Sequence, residues 1–374
     1  MEEQEDTQQT AAQLDRVAAH WGRTAKSRRQ SSVRGWLDSY PVVAERLNAP
    51  VSGSPHVNWL IGLARRLEID PASRWLSVGC GTAGHEIEAA REGLFGQLDA
   101  VDLSNEALEE ARGAAAAAGV DNISFRQVDF NRFEPSADTY DVVLMNMSLH
   151  HVKELDSLLA RIATCLRPDG FFLINEYIGP RQFQFSDQQL EIVQELLTVL
   201  PDALRQDLST GEIKTTYDRK PVEYWNVVDP SEAVRSDRIV PTVEHYFDVV
   251  ERIDYGGTIL HLLLEHIVHN FDHGDPNQLG ILRLLGKFED LLLSARVLTS
   301  DFTVMALRPK RTPAPAAAKA TAGDEEPDEV DSELEFLRDE LTKAYSYIWK
   351  IETSRGWRLL ERFRRLFGRG WRKG

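Results

Sequence analysis

The chain has 374 residues, 42% hydrophobic and 27% charged, with a net charge of −16. That length holds one large core with appendages or two modest domains, and the acidic balance argues against a protein that covers duplex phosphate with its whole surface. No run of about eighteen apolar residues occurs, the start Met1–Asp6 is acidic where a secretory signal is basic, and Cys80 and Cys165 are too few for a disulfide framework or a cysteine zinc site, so a cytoplasmic protein is expected.

Residues 1–70 read as a helical N-terminal extension. Leu14, Val17, Ala18 and Trp21 recur at helical spacing within Gln8–Ala25. Pro41, Pro50, Gly53 and Pro55 punctuate the next stretch, and His56–Leu67 reads as a helix with Val57, Leu60, Ile61 and Ala64 on one face. From Arg74 the pattern changes. Arg74–Val78, Leu98–Asp102, Ile123–Gln127, Val142–Asn146 and Phe171–Glu176 read as strands. Glu86–Arg91, Asn105–Ala118 and Glu154–Leu166 read as the helices between them. Such alternation predicts an α/β domain, 71–311, with a parallel sheet covered on both faces.

The alternation stops at about residue 178. Residues 178–245 read as a helical or irregular insertion, a lid over the pocket, with Ser186–Val199 as one helix. Two late strands come after it, Phe247–Asp254 and Asp301–Arg308, with Ile259–Asn270 and Leu279–Leu293 helical between them. Residues 312–330, rich in Ala, Pro and acidic side chains, read as a linker. Leu334, Leu337, Leu341, Ala344, Ile348 and Ile351 then repeat at heptad spacing, which predicts a short coiled coil or a docked helix. Beyond it, Trp357, Leu360, Phe363, Leu366 and Phe367, bracketed by arginines, describe a basic amphipathic helix.

Three motifs carry chemistry. Leu76–Glu86 places Gly79, Gly81 and Gly84 in a strand-to-helix turn, where glycine lets backbone approach a ligand and the helix after it offers free N–H groups. Asp102 ends the next strand, where a carboxylate accepts hydrogen bonds from ribose hydroxyls. Val128-Asp129-Phe130 comes after the third strand, suited to an adenine amino group and ring; the structural alternative for Asp129 is a loop cap.

The order of these motifs with Tyr140-Asp141-Val142-Val143, Ser148-Leu149-His150-His151 and Leu166–Phe171 resembles class I S-adenosylmethionine-dependent methyltransferases. The resemblance is close over 74–175 and looser to 310. It implies a Rossmann-like seven-stranded sheet with one antiparallel strand. It also implies S-adenosyl-L-methionine as cofactor, held by Gly79, Cys80, Gly81, Glu86, Asp102, Leu103, Asp129, Phe130 and Asn146. Two departures stand out: Ser77 where the family often has an acidic residue, and Ala83 where it has a third glycine. Glu86 is expected to compensate at the cofactor's amino-acid end.

Methyl transfer is a displacement that needs alignment, and a hydroxyl acceptor must also lose a proton. His150 and His151, at the end of the fourth strand, are candidates to receive it, with Glu176 next; the alternative is that one histidine packs and the other caps. Tyr177, Arg181 and Trp225 are the expected acceptor contacts. His261, His266, His269 and His273 invite a metal reading, but no carboxylate stands one turn away in a HExxH-like arrangement. A bland or acceptor-facing helix is the better reading, and metal is not expected.

The expected function is O-methylation of a sugar hydroxyl on a bacterial surface glycan or its lipid-linked precursor. Ser354–Leu359 resembles a short C-terminal element of bacterial polysaccharide-assembly enzymes. The rivals are a secondary-metabolite methyltransferase acting on O, N or C, and a non-catalytic cofactor-binding scaffold. Expected partners are the acceptor, a second copy through the heptads, and an anionic inner membrane face or a glycosyltransferase through the basic tail.

Overall fold

The structure, a computed structural model, describes residues 41–130 and 133–310. Residues 312–374 lie outside the described residues. So do the expected Gln8–Ala25 helix, the linker 312–330, the heptad segment and the basic tail.

Seven strands form one sheet: β1 Arg74–Val78, β2 Gln97–Asp102, β3 Ile123–Gln127, β4 Tyr140–Asn146, β5 Leu166–Tyr177, β6 Phe247–Gly256 and β7 Phe302–Pro309. Their order is β3-β2-β1-β4-β5-β7-β6. β7 runs antiparallel to both β5 and β6, and the other neighbours are parallel.

Side chains alternate across the strands, so each face has its own core. Leu76, Val78, Val143, Met145, Phe172, Ile174, Met305 and Leu307 face one way. They meet Leu155, Leu158, Leu159 and Ile162 of a helix at Leu155–Cys165 and Ile239 and Val243 of one at Ile239–Tyr246. Trp75, Val142, Leu144, Leu173, Val304 and Ala306 face the other way, toward α1 (Trp59–Arg66), α2 (Gly84–Arg91) and α3 (Asn105–Ala117). With both faces covered, the strands read as near-continuous apolar runs, which made them recognisable. The helices start where their caps are. Asn58 accepts from the Leu60 N–H at 2.9 Å, and Ser104 accepts from Ala107 at 3.2 Å.

One expected helix is broken. Ile259–Asn270 divides into a short helix, Leu260–Leu264, and a 3₁₀ turn, Val268–Asn270, with His266 between them at φ +63°. The Lys214 ammonium supplies the reason. It donates to the carbonyls of Leu262 at 2.7 Å and Glu265 at 2.8 Å, so these oxygens no longer need the next helical turn. Burial pushes the Lys214 amine down to about 8. His266, His269 and His273 therefore do not share one helical face.

A second staple joins the ends of the described chain. Glu289, fully buried on the Pro276–Ser294 helix, accepts from the backbone N–H of Gly257, Ile259 and Leu260 at 3.0, 2.7 and 3.0 Å. Arg46 completes it, 2.6 Å from the same carboxylate.

Candidate active site

The chain runs outward from β1 to β3 and then returns to β4 beside β1. Ligands in open α/β sheets lie at such a reversal, outside the carboxyl ends of the strands. The glycine turn, Asp102, Val128-Asp129-Phe130 and Ser148-Leu149-His150-His151 each come at the carboxyl end of a strand here.

The turn after β1 is held from below. Gly79 and Cys80 both donate to the Val101 carbonyl, at 2.8 and 3.2 Å. Gly79 has φ +74°, and a Cβ on it would stand 2.5 Å from the Ser148 Cβ, so glycine is required on two counts. Gly81, at φ +52°, has open space above it. Ala83 adopts φ +55° with its methyl buried, the conformation a third glycine would have adopted freely. Asp102 locks the turn. Its Oδ2 accepts from the Gly81 N–H and its Oδ1 from Ser104, both at 2.8 Å. Burial raises the Asp102 carboxyl, although these N–H bonds pull the other way. Each oxygen keeps a lone pair, and two ribose hydroxyls need two acceptors.

The buried Glu86 side chain turns back to the Ser77 hydroxyl at 2.7 Å. Ser77 and Glu86 thus form one polar unit beneath the turn, and burial raises the Glu86 carboxyl. Cys80 is buried, Leu103, Asp129 and Phe130 are half-buried at the strand ends, and Arg161 donates to the Phe130 carbonyl at 3.0 Å. Asn146 accepts from Asn175 at 2.9 Å, and Asn175 in turn accepts from the Tyr255 hydroxyl at 2.8 Å.

Beyond β4 the chain makes a 3₁₀ turn, Leu149–His151. Glu176 organises it. One oxygen accepts from the Ser148 and Leu149 N–H groups at 2.7 and 2.5 Å, and the other lies 2.7 Å from His150 Nδ1. Glu176 is fully buried with both oxygens engaged by the turn backbone and by His150, an arrangement that suits positioning the imidazole. A carboxylate only accepts, so Nδ1 carries the proton and Nε2 the lone pair. Burial depresses the His150 pKa, but the charge and hydrogen bond of Glu176, helped by Glu232 and Asp229, outweigh it and raise the value above the ordinary one. The His151 ring lies 4.1 Å from that of His150, and its Nδ1 is 3.3 Å from the Ser231 hydroxyl.

Tyr177 is buried, and its hydroxyl donates to the Pro180 carbonyl at 3.0 Å, so it contributes its ring and not its oxygen. Arg181 is exposed. Trp225 turns inward on the helix Val222–Val228 and meets Phe183 edge-on at 5.0 Å. Trp225 Nε1, Gln182 Oε1, Asp229 Oδ2 and His261 Nδ1 are buried without a hydrogen-bond partner. Phe183 lies 5.9 Å from His261, and His150 6.3 Å from Tyr177, so these groups continue the His150 environment. Five non-glycine residues with left-handed backbone flank the region: Ala83, Met147, Gln182, Phe183 and Ala233. Such strain persists only where the surroundings enforce it.

Glu232, Asp229 and Gln182 were not expected at the site. Val234 donates to the His150 carbonyl at 3.2 Å, a contact across more than eighty residues of chain that no local pattern announces.

Residues 69–221 match a family model described as "Methyltransferase domain". The chain is 27% identical over 198 residues to a malonyl-[acyl-carrier protein] O-methyltransferase of Halalkalibacterium halodurans, covering 52% of this chain and 70% of that one. It is 25% identical over 142 residues to a demethylmenaquinone methyltransferase of Geobacillus kaustophilus, covering 38% and 61%. Among solved structures, a putative sarcosine dimethylglycine methyltransferase from Galdieria sulphuraria aligns over 67% of this chain and 83% of its own, at 12% identity and a TM-score of 0.40.

Proposed function

We propose that this chain, an S-adenosylmethionine-dependent methyltransferase, methylates a hydroxyl oxygen of an acceptor bearing several hydroxyl groups, with His150 receiving the proton. The observation that carries this is the buried Glu176–His150 pair, 2.7 Å apart, at the carboxyl end of β4. When bound, the cofactor supplies an electrophilic methyl group on a sulfonium. The protein's own groups do the rest. Asp102 takes the ribose hydroxyls while Gly81 leaves room for the chain beyond. Glu176 fixes His150 with Nε2 free to accept, and the imidazolium that forms is stabilised by Glu176, with Glu232 Oε1 3.7 Å from Nε2. Water-poor surroundings strengthen each of these interactions.

The acceptor class rests on the lid side. A buried polar atom without a partner costs about 1–3 kcal/mol. Trp225 Nε1, Gln182 Oε1 and His261 Nδ1 therefore suit an acceptor that brings hydroxyls to them, with Trp225 and Phe183 as stacking faces. A sugar meets that description. The relatives' names give two other acceptors, malonyl-[acyl-carrier protein] and demethylmenaquinone, so likeness does not select one. The association with surface-polysaccharide assembly rests on the Ser354–Leu359 element, outside the described residues. On this reading the heptads pair two copies, and the basic tail holds the enzyme at an anionic membrane or a glycosyltransferase. Flotation with anionic vesicles, lost in a chain ending at residue 352, is the expected behaviour.

The test is transfer of isotope-labelled methyl to a panel of sugars, phenols, amines and acyl carriers, with the product bond located by NMR. A methyl ether on a sugar, with turnover reduced about 10²-fold or more in His150→Gln, is expected. A best acceptor methylated on nitrogen or carbon overturns the reading.

A further inference from the structure

We propose that His150, His151 and Glu232 form a binding site for a divalent cation of the zinc class, against the expectation of no metal from the sequence.

The donor atoms carry the argument. One ligand atom from each of the three residues lies within 4.8 Å of the others. Bonds of about 2.0–2.1 Å in a tetrahedral site place ligand atoms roughly 3.4 Å apart. His150 Nε2 and Glu232 Oε1, at 3.7 Å, are already near that spacing. His151 sits on the 3₁₀ turn's last position, half-buried, with its ligand atom within 4.8 Å of the other two, so a side-chain adjustment closes the triangle.

The surroundings have the form of a supported metal site. Glu176 accepts from Nδ1 of His150, which fixes the tautomer and leaves Nε2 for a cation; a carboxylate behind a ligating imidazole is the usual outer support. Asp229 gives an independent observation. It is 2% exposed, and its Oδ1 is taken by the N–H and hydroxyl of Ser231 at 3.0 and 2.6 Å. Its Oδ2 is buried with no partner, and its charge acts on His150. A buried, unpartnered carboxylate oxygen is costly unless a cation or a donor reaches it. Ser231 links Asp229 to His151, 3.3 Å from its Nδ1. Among the described residues, neither Glu176 nor Asp229 pairs with a lysine or arginine.

The donor set selects the ion. Two imidazoles and a carboxylate suit zinc and cobalt, whereas magnesium and calcium prefer oxygen ligands alone. The cation and the transferred proton would use the same lone pair on His150 Nε2, so the two uses exclude each other. The proposal concerns binding and does not depend on the acceptor.

Chelator-treated full-length protein is titrated with Co²⁺, following its visible d–d absorption, and then with Zn²⁺. One equivalent of Co²⁺ with a band characteristic of low coordination number, displaced by Zn²⁺ and not by millimolar Mg²⁺, is expected. His151→Gln and Glu232→Gln should each weaken Co²⁺ binding about tenfold or more, while His273→Gln leaves it unchanged. Calorimetric S-adenosylmethionine binding by each variant reports that the fold is intact. If Glu232→Gln loses that binding, His151→Gln decides. Absence of a band in the unmodified chain, or Co²⁺ affinity unchanged in a cofactor-binding variant, overturns the proposal.

Discussion

The Nδ1 of His150 and the Oε2 of Glu176 lie 2.7 Å apart, and both groups are buried. Burial pushes the imidazole pKa down, and Glu176 more than reverses this. In the proposed function the base is the deprotonated ring, so kcat/KM should rise with pH along a limb above the ordinary histidine value of about 6.5. Glu176→Gln removes the charge but keeps an oxygen for the Ser148 and Leu149 N–H groups. The limb should move to lower pH, and turnover should fall about 10²-fold. A pH profile that only scales down without moving would show that Glu176 does not act through His150. The sign for stability is opposite. A raised folded pKa contributes stability in full below the unfolded value, and the contribution is lost as pH rises through the folded value.

Asp102 holds the turn, and in the proposed function it also takes the ribose. In Asp102→Ala the Gly81 and Ser104 N–H groups lose their acceptor, and the two hydroxyls lose theirs. Charged hydrogen bonds are worth about 1.5–3 kcal/mol, so cofactor affinity should fall roughly 10- to 150-fold. Calorimetry with S-adenosylmethionine measures it. An unchanged Kd would remove Asp102 from the cofactor site.

Ala83 tests whether strain at the turn matters. A left-handed alanine costs about 1–2 kcal/mol. Its buried methyl recovers roughly 0.8 kcal/mol, and glycine would lose additional entropy on folding. These effects nearly cancel. Ala83→Gly should therefore shift stability by no more than about 1 kcal/mol, while Ala83→Val, β-branched at positive φ, should destabilise clearly. Urea denaturation of both variants reads the difference; a strongly destabilised glycine variant would mean that the methyl, not the backbone, is what the position selects.

Arg46 and Glu289 are the sharpest stability test. Removing one partner of a buried pair leaves the other charge unpaired, at about 3–5 kcal/mol. Arg46→Ala should show that loss in denaturant unfolding. Arg46→Ala/Glu289→Gln should recover part of it, since the amide oxygen still meets the Gly257, Ile259 and Leu260 N–H groups. No recovery would mean that the arginine acts by packing and not by charge.

The strands and their order of motifs were legible because a sheet covered on both faces writes itself as apolar runs, and because turn glycines and strand-end carboxylates stand at fixed offsets. β5 proved longer than Phe171–Glu176 because Leu166 already pairs with Tyr140, across a shift in register between Tyr140 and Val142. Residues 259–270 misled, since helical periodicity there is interrupted by an ammonium from Lys214, some fifty residues away in the chain. The pairing of His150 with Glu176 joined two residues that the sequence had nominated separately, without indicating that one would hold the other. Glu232 and Asp229 were invisible for a plainer reason. They lie in an irregular segment whose side chains have no period, and only tertiary packing brings them to the histidines.

The place of β7 has a consequence for synthesis. β5 pairs with β4 as soon as both exist, but its other edge is filled by a strand that begins at Phe302, about 125 residues later, with Phe172 opposite Leu307 and Glu176 opposite Thr303. A nascent chain leaving the ribosome therefore carries an open β5 edge throughout translation of the lid region and β6, and β6 itself has no neighbour in the sheet until β7 arrives between them. At about 5–20 residues per second that interval lasts roughly 6–25 seconds. During it the unpaired N–H and C=O groups of Phe172–Ile174, flanked by apolar side chains, are a template for any passing strand. Holding factors on the ribosome, rather than the equilibrium stability of the finished sheet, would then set how much of this chain reaches its folded form.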